Sequence, residues 1–183
     1  MNFQKYHQKL GINIIIISMR EIVLDTETTG LDPKIGHRLV EIGAVELINH
    51  TPTGVNYQTY INPERDVDPG AQEIHGLTNE FLKQHPTFGD ISAKFIDFLS
   101  NSTLVIHNAP FDLAFINMEL NRLGEPTISS EKVIDTLVLA RKKFPGAQAN
   151  LDALCRRFAI ENRHRELHGA LVDAALLLSL IHI

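Results

Sequence analysis

The order of apolar patterns along the chain predicts a mixed α/β fold. Three strand-like runs come first, helical and strand-like stretches then alternate, and helical stretches close the sequence. That order favours a sheet with one hairpin and right-handed crossovers to parallel neighbours. Size agrees, because 183 residues is close to a single domain at roughly 100–150 residues each. Composition agrees too: 44% hydrophobic and 21% charged residues, with 11 Gly and 8 Pro, exclude a disordered, collagen-like or low-complexity polymer.

Residues 21–25 (EIVLD) are short, apolar and β-branched and run into the Gly30, Pro33, Gly36 cluster, the pattern of a buried strand ending in a loop. Residues 39–47 and 55–61 read as the strands of a hairpin joined through the turn-rich residues 49–54 (NHTPTG). A loop rich in Pro, Asp and Gly is expected over 63–76, then a short helix over 79–84. Ile91, Phe95, Ile96, Phe98 and Leu99 recur at helical spacing before 104–106 returns as a strand. Leu113, Phe115, Ile116, Met118, Leu120 and Leu123 mark an amphipathic helix closed by Gly124, and Val133-Ile134 resembles another strand. Helices are expected over 136–144, stopped by Pro145-Gly146, over 150–158, and from 169 to about 180. No repeat and no long linker divides the chain.

The two ends look foreign to this pattern. Residues 1–18 precede Met19 and the first core strand, so they read as an appended leader; the alternative is an edge strand through 14–17. Residues 178–183 (LSLIHI) coincide with an in-frame reading of a transposase adapter used in DNA library preparation and are expected to be non-native. The domain proper is then 19–177.

Several function classes drop out. No run approaches the ~18 apolar residues of a membrane span, and the greasiest stretch, 12–17, already contains Asn13. Nothing resembles a secretory signal with its cleavage site. The single cysteine, Cys155, is read as a buried small side chain; it forms no internal disulfide, and no Cys/His spacing suggests zinc. A cytoplasmic location is expected. The net charge of −5 argues against holding nucleic acid by bulk attraction. Yet residues 141–165 carry Arg141, Lys142, Lys143, Arg156, Arg157, Arg163 and Arg165 against Asp152 and Glu161. This basic segment on an acidic body is either a phosphate-tracking surface or a set of solvated helix faces.

The informative residues are acidic and sit where strands end. In Asp25-Thr26-Glu27 two carboxylates share one face of an extended backbone; alone, such a pair also marks a solvated strand end or a cap. Asp112, in His107-Asn108-Ala109-Pro110-Phe111-Asp112 after the 104–106 strand, falls in the first turn of a helix that Pro110 opens. Dipole compensation accounts for that position without a ligand. His168-Gly169-Ala170-Leu171-Val172-Asp173 introduces the last helix, with small residues that permit close approach and Asp173 able to face the same cleft as His168. His168 also reads as an ordinary surface histidine. Together the four carboxylates make a stronger case, because their mutual repulsion requires neutralising cations. Hard oxygen donors favour Mg²⁺ or Mn²⁺, and two such ions roughly 4 Å apart clamp both oxygens of an in-line phosphoryl displacement.

These three segments resemble the exonuclease motifs of the DEDDh 3′→5′ exonucleases. EIGAVE (41–46), DPGAQEIHGLT (68–78), ARKKFPG (140–146), LDALCRRF (151–158) and LHGALVDA (167–174) are similar to the proofreading epsilon subunits of bacterial DNA polymerase III. The resemblance implies a ribonuclease H-like fold, a five-stranded mixed sheet flanked by helices. It also implies two divalent cations, Mg²⁺ or Mn²⁺, with Asp25, Glu27 and Asp173 holding one, Asp25 and Asp112 the other, and His168 as general base. A free imidazole near pKa 6.5 is largely neutral at pH 7 and suits that role. Thr28, Gly30, Leu31, His75, His107, Asn108 and Phe111 would surround the 3′-terminal nucleotide. Four of them have a plainer reading: Thr28 caps a turn, Gly30 meets a positive-φ requirement, His75 bonds within a loop and Phe111 belongs to the core.

The implied reaction releases nucleoside 5′-monophosphates from a single-stranded or frayed DNA 3′ end, since a mispaired end unstacks at lower cost. Family members join a polymerase catalytic (alpha) subunit through a C-terminal tail that this sequence does not include; a small theta-like subunit is a further implied partner, and no membrane is. Two other readings compete: a 3′ RNA exonuclease of the oligoribonuclease or ribonuclease T kind, and a non-catalytic nucleic-acid-binding or polymerase-scaffolding domain.

Overall fold

A computed structural model describes residues 19–161 and 167–181. The expectations for residues 1–18, for Arg163 and Arg165, and for His182 and Ile183 lie outside these described residues. Within them the strands are β1 (Arg20–Thr28), β2 (Leu39–Ile48), β3 (Thr51–Tyr60), β4 (Thr103–Ile106) and β5 (Val133–Asp135). The helices are α1 (Pro69–His75), α2 (Asn79–Leu82), α3 (Phe88–Leu99), α4 (Ala109–Leu123), α5 (Thr136–Lys143), α6 (Leu151–Arg157) and α7 (Ala170–Ile181).

One five-stranded sheet runs in the order β3-β2-β1-β4-β5. The first three strands form an antiparallel meander, and β4 and β5 add parallel to β1 through helical crossovers. Alternation along β1 sorts its side chains between two layers. Ile22 and Leu24 join Phe88, Phe95, Phe115 and Ile116 in a large core under α3 and α4. Val23 points the other way, with Val45, Leu47, Val105, Ala174 and Leu177, toward α7. The central strand is therefore apolar on both faces until it emerges at Asp25. Truncating any of the fully buried phenylalanines would cost ~3–5 kcal/mol.

Three expectations are corrected. The hairpin turn is not 49–54 but Asn49-His50 alone, with φ of 51° and 63°, and β3 starts at Thr51. Two left-handed residues match the strand twist, and Pro52 is tolerated because β3 is an edge strand. The supposed loop over 63–76 contains α1, opened by Pro69, which needs no N–H at a first helical position, and closed by Gly76 at φ 75°. Helix α2 is shorter than expected, its N-terminus capped by the Thr78 hydroxyl accepting from Phe81 N–H at 3.2 Å. Cys155 is buried as expected. No helix among the described residues is long and apolar enough to cross a membrane.

The start of α7 rests on the backbone of β2. A Cβ added at Gly43 would lie 2.1 Å from Leu171 N and 2.2 Å from the Ala170 carbonyl carbon. Next to it Glu41, buried, accepts the Ala170 N–H at 3.1 Å and the Gln58 amide at 2.8 Å. Burial raises the Glu41 pKa, and those two bonds oppose the rise. Overpacking of this kind costs ~1–3 kcal/mol, so Gly43→Ala should lower the melting temperature by several degrees. Gly70→Ala, where an added Cβ meets nothing within 4 Å, should change it little. Equal melting shifts in the two variants would contradict this account of the α7 seat.

Candidate active site

The last residues of β1 carry the chemistry because the strand continues past its apolar partners. Asp25 and Glu27 follow Val23 at two and four residues, so they share its face and leave the sheet on the side that α7 covers. There Glu27, His168 and Asp173 each present a potential ligand atom, all within 4.8 Å of one another. His168 Nδ1 stands 3.3 Å from Asp173 Oδ2, with 43% of the His168 side chain exposed and Asp173 buried. Asp25 borders the same cleft, of about 680 Å³, which is also lined by His107, Asn108, Arg141 and Asn150.

Asp112 reaches the strand from the other side. It lies buried in the first turn of α4 and accepts the Thr26 hydroxyl at 2.7 Å. Thr26 belongs to the face of β1 opposite Asp25 and Glu27. Burial pushes the Asp112 carboxyl from its ordinary 3.8 up to about 7, with the Thr26 hydrogen bond pulling against it. Of the expected quartet, Glu27 and Asp173 thus share one tight group with His168, Asp25 flanks it, and Asp112 is held across the strand by Thr26. The Asn108 backbone is left-handed at φ 68° and its N–H donates to Asp135 Oδ1 at 3.2 Å, which sets the start of α4.

The expected nucleotide contacts divide between two clefts. His107 and Asn108 line the one with Asp25 and Asp173. Thr28, Gly30, Leu31, His75 and Phe111 line a second, of about 670 Å³, that Glu27 also borders. The His107 Nδ1 lies 2.9 Å from Thr136 Oγ1, and burial lowers the ring's pKa. His75 Nδ1 accepts the Leu77 N–H at 3.0 Å, which leaves Nε2 as the protonated nitrogen facing the Thr28 carbonyl at 3.3 Å. Burial lowers the His75 pKa and favours this neutral form. The Thr28 hydroxyl donates to the Gly30 carbonyl at 2.6 Å, so it does cap the turn. Phe111 packs on Phe115 at 5.0 Å while still reaching the cleft. Leu31 is 82% exposed.

Gly30 corrects one reading. Its φ is not positive; the position is bare of a side chain because an added Cβ would fall 2.3 Å from the His37 ring. Residues that the motif reading passed over are Thr26, which holds Asp112, and Glu41 and Gly43, which seat α7. Thr26 had a local signal, a polar side chain between two carboxylates; Glu41 and Gly43 had none beyond their motif, because their partners lie over 120 residues away.

The donor set fits hard divalent cations: carboxylate oxygens dominate, they are buried or nearly so, and sulfur is absent among them. A family model described as "Exonuclease" matches residues 22–181. The DNA polymerase III subunit epsilon of Rickettsia felis is 57% identical over 163 residues, covering 87% of this chain and 71% of that protein. The same subunit of Escherichia coli K12 is 47% identical over 165 residues, covering 86% and 68%. Exonuclease X in complex with 5′ overhanging duplex DNA superimposes with a TM-score of 0.65 at 29% identity, over 90% of this chain and 91% of that one. The nuclease domain of 3′hExo, a DEDDh family member bound to rAMP, has a TM-score of 0.77 at 18% identity, covers 91% of both chains and shows the fold alone. With its mixed sheet, its acidic strand end and relatives at this level of identity, the chain belongs to the DEDDh exonuclease family, in the branch of the DNA polymerase III epsilon subunits.

Proposed function

We propose that the chain hydrolyses the terminal phosphodiester of a single-stranded or frayed DNA 3′ end and releases nucleoside 5′-monophosphates, as the proofreading activity of a replicative polymerase. The observation that carries this is the grouping of Glu27, His168 and Asp173 within 4.8 Å in a chain 57% identical to an epsilon subunit over 163 residues. Asp25, Glu27 and Asp173, with Asp112 on the far side of Thr26, would hold two divalent cations, Mg²⁺ or Mn²⁺. Such ions polarise the attacking and departing oxygens of a phosphoryl transfer. His168, half-exposed beside Asp173, takes the proton from the attacking water, and Asp173 orients the ring through the Nδ1 contact. Thr28, Gly30, Leu31, His75 and Phe111 receive the terminal nucleotide in one cleft, and His107 and Asn108 face the neighbouring one. The polymerase catalytic (alpha) subunit and a theta-like subunit are the proposed partners.

Chelation should abolish release of mononucleotides from a labelled DNA oligonucleotide, and Mg²⁺ or Mn²⁺ should restore it. Asp25→Ala or Asp173→Ala should lower turnover on the order of 10²-fold or more while the melting temperature holds or rises, because one repelling charge is gone. Wild-type turnover in either variant would refute the ligand assignment, and faster loss of a matched RNA oligonucleotide would move the substrate to RNA. His168→Gln should lower turnover on the order of 10²-fold or more with the melting temperature unchanged; wild-type turnover in this variant would remove the histidine from the base role.

Asp112 yields a separate expectation. Its folded pKa is raised, from 3.8 to about 7, so between those values the native state holds a proton that the unfolded chain releases. Its contribution to stability is full below the lower value and is lost as pH rises toward the upper one. In chelator, melts from pH 4.5 to 8 should therefore decline more steeply for the wild type than for Asp112→Asn. Parallel slopes would show that Asp112 is not the group responsible.

A further inference from the structure

The nucleotide pocket contains a buried histidine that none of the three acidic motifs includes. His37 stands just before β2 and is 6% exposed. Its Nδ1 is 3.1 Å from Thr29 Oγ1, and its Nε2 is 3.5 Å from Asp68 Oδ2. Thr29 Oγ1 already accepts the Arg38 N–H at 3.0 Å, so its own proton is available to Nδ1. Nε2 then carries the hydrogen that faces Asp68. Asp68 precedes α1 yet makes no capping bond with its side chain; its other oxygen is 3.9 Å from Arg65. The ring also covers Gly30, where a Cβ would meet Cε1, Nδ1 and Nε2 at 2.3, 2.4 and 2.6 Å.

These contacts join the two lips of one pocket. Thr29 and Gly30 belong to the lip that carries Leu31 and Ile35, while Asp68 begins the helix that carries Ile74 and His75. From this geometry we infer that His37 is a positioning residue for the 3′-terminal nucleotide. It sets the spacing between the lips and so governs how well the nucleotide is held rather than how fast the bond breaks. The inference rests on the exonuclease reading above. Two other links between the lips remain without His37: Asp68 N–H to the Thr29 carbonyl at 3.0 Å, and His75 to the Thr28 carbonyl at 3.3 Å. Arg38 separately ties the start of β2 to α4 through a paired contact with Glu119 at 2.5 and 2.7 Å. Removing the ring therefore loosens the pocket without unseating the loop.

The test is steady-state release of mononucleotides from a single-stranded DNA oligonucleotide in Mg²⁺ by the whole 183-residue chain and its variants. His37→Ala should raise KM roughly five- to tenfold, the scale of one or two lost hydrogen bonds, with kcat within about twofold of wild type. His37→Gln, whose amide can still donate toward Asp68, should recover most of that loss. Gly30→Ala should raise KM in the wild-type background, where its methyl meets the ring, and should add little to His37→Ala, where the ring is gone. An unchanged KM in His37→Ala, a fall in kcat as large as the rise in KM, or a Gly30→Ala penalty independent of His37 would each overturn the inference. A wild-type chain that releases no nucleotide would instead overturn the exonuclease reading.

Discussion

Carboxylate oxygens repel one another, and taking them out of water makes the repulsion more expensive. The end of β1 imposes that cost by design of its alternation: Val23 is committed to the core under α7, so Asp25 and Glu27 must leave the sheet on the same side. Helix α7 then brings Asp173 to them from the far end of the sequence, and His168 comes with it. Every other feature of the region can be understood as holding these groups where they would not stay unaided.

The holding is done by backbone and by neutral hydrogen bonds as much as by charge. Gly43 lets the first turn of α7 settle onto β2, and Glu41 takes the Ala170 N–H there. Glu41 is itself a buried acid near Asp173, yet its two oxygens are already committed, one to Gln58 and one to Ala170. That distinguishes an acid that builds the site from one that offers an oxygen to it. Asp112 is treated in another way. Its charge is suppressed by burial while the Thr26 hydroxyl fixes one oxygen, so a cation or a proton decides its state. At the other end of the sheet a separate apolar hollow of about 350 Å³ is floored by buried Glu21, which is bound by His50 at 2.8 Å and takes no part in this arrangement.

Legibility followed the range of the interaction. Strands β1, β2 and β4 and helices α3 and α4 are visible in the chain because their burial patterns repeat every two or 3.6 residues. The hairpin turn is four residues shorter than the sequence suggests because Thr51, Pro52, Thr53 and Gly54 have turn chemistry but lie on an edge strand, where a missing N–H and a small side chain are harmless. Helix α1 was hidden for the opposite reason: Pro69 and Gly70 look like loop residues and are in fact a helix start. At Gly30 the constraint comes from the His37 ring and not from the residue's own dihedral angle, a cause that local sequence does not carry.

By itself, the order of residues determined the mixed α/β class, the five acidic and imidazole groups of interest, and the pairing of Asp25 with Glu27 on one face, because each depends on local spacing along the backbone. Which groups meet was decided by the tertiary structure. It set Asp173 and His168 against Glu27, put Asp112 across the strand on Thr26, and joined the two lips of the second cleft through His37, by contacts between residues from 8 to more than 140 positions apart. No periodicity records such contacts, since they exist only once the sheet and its two helical layers have packed.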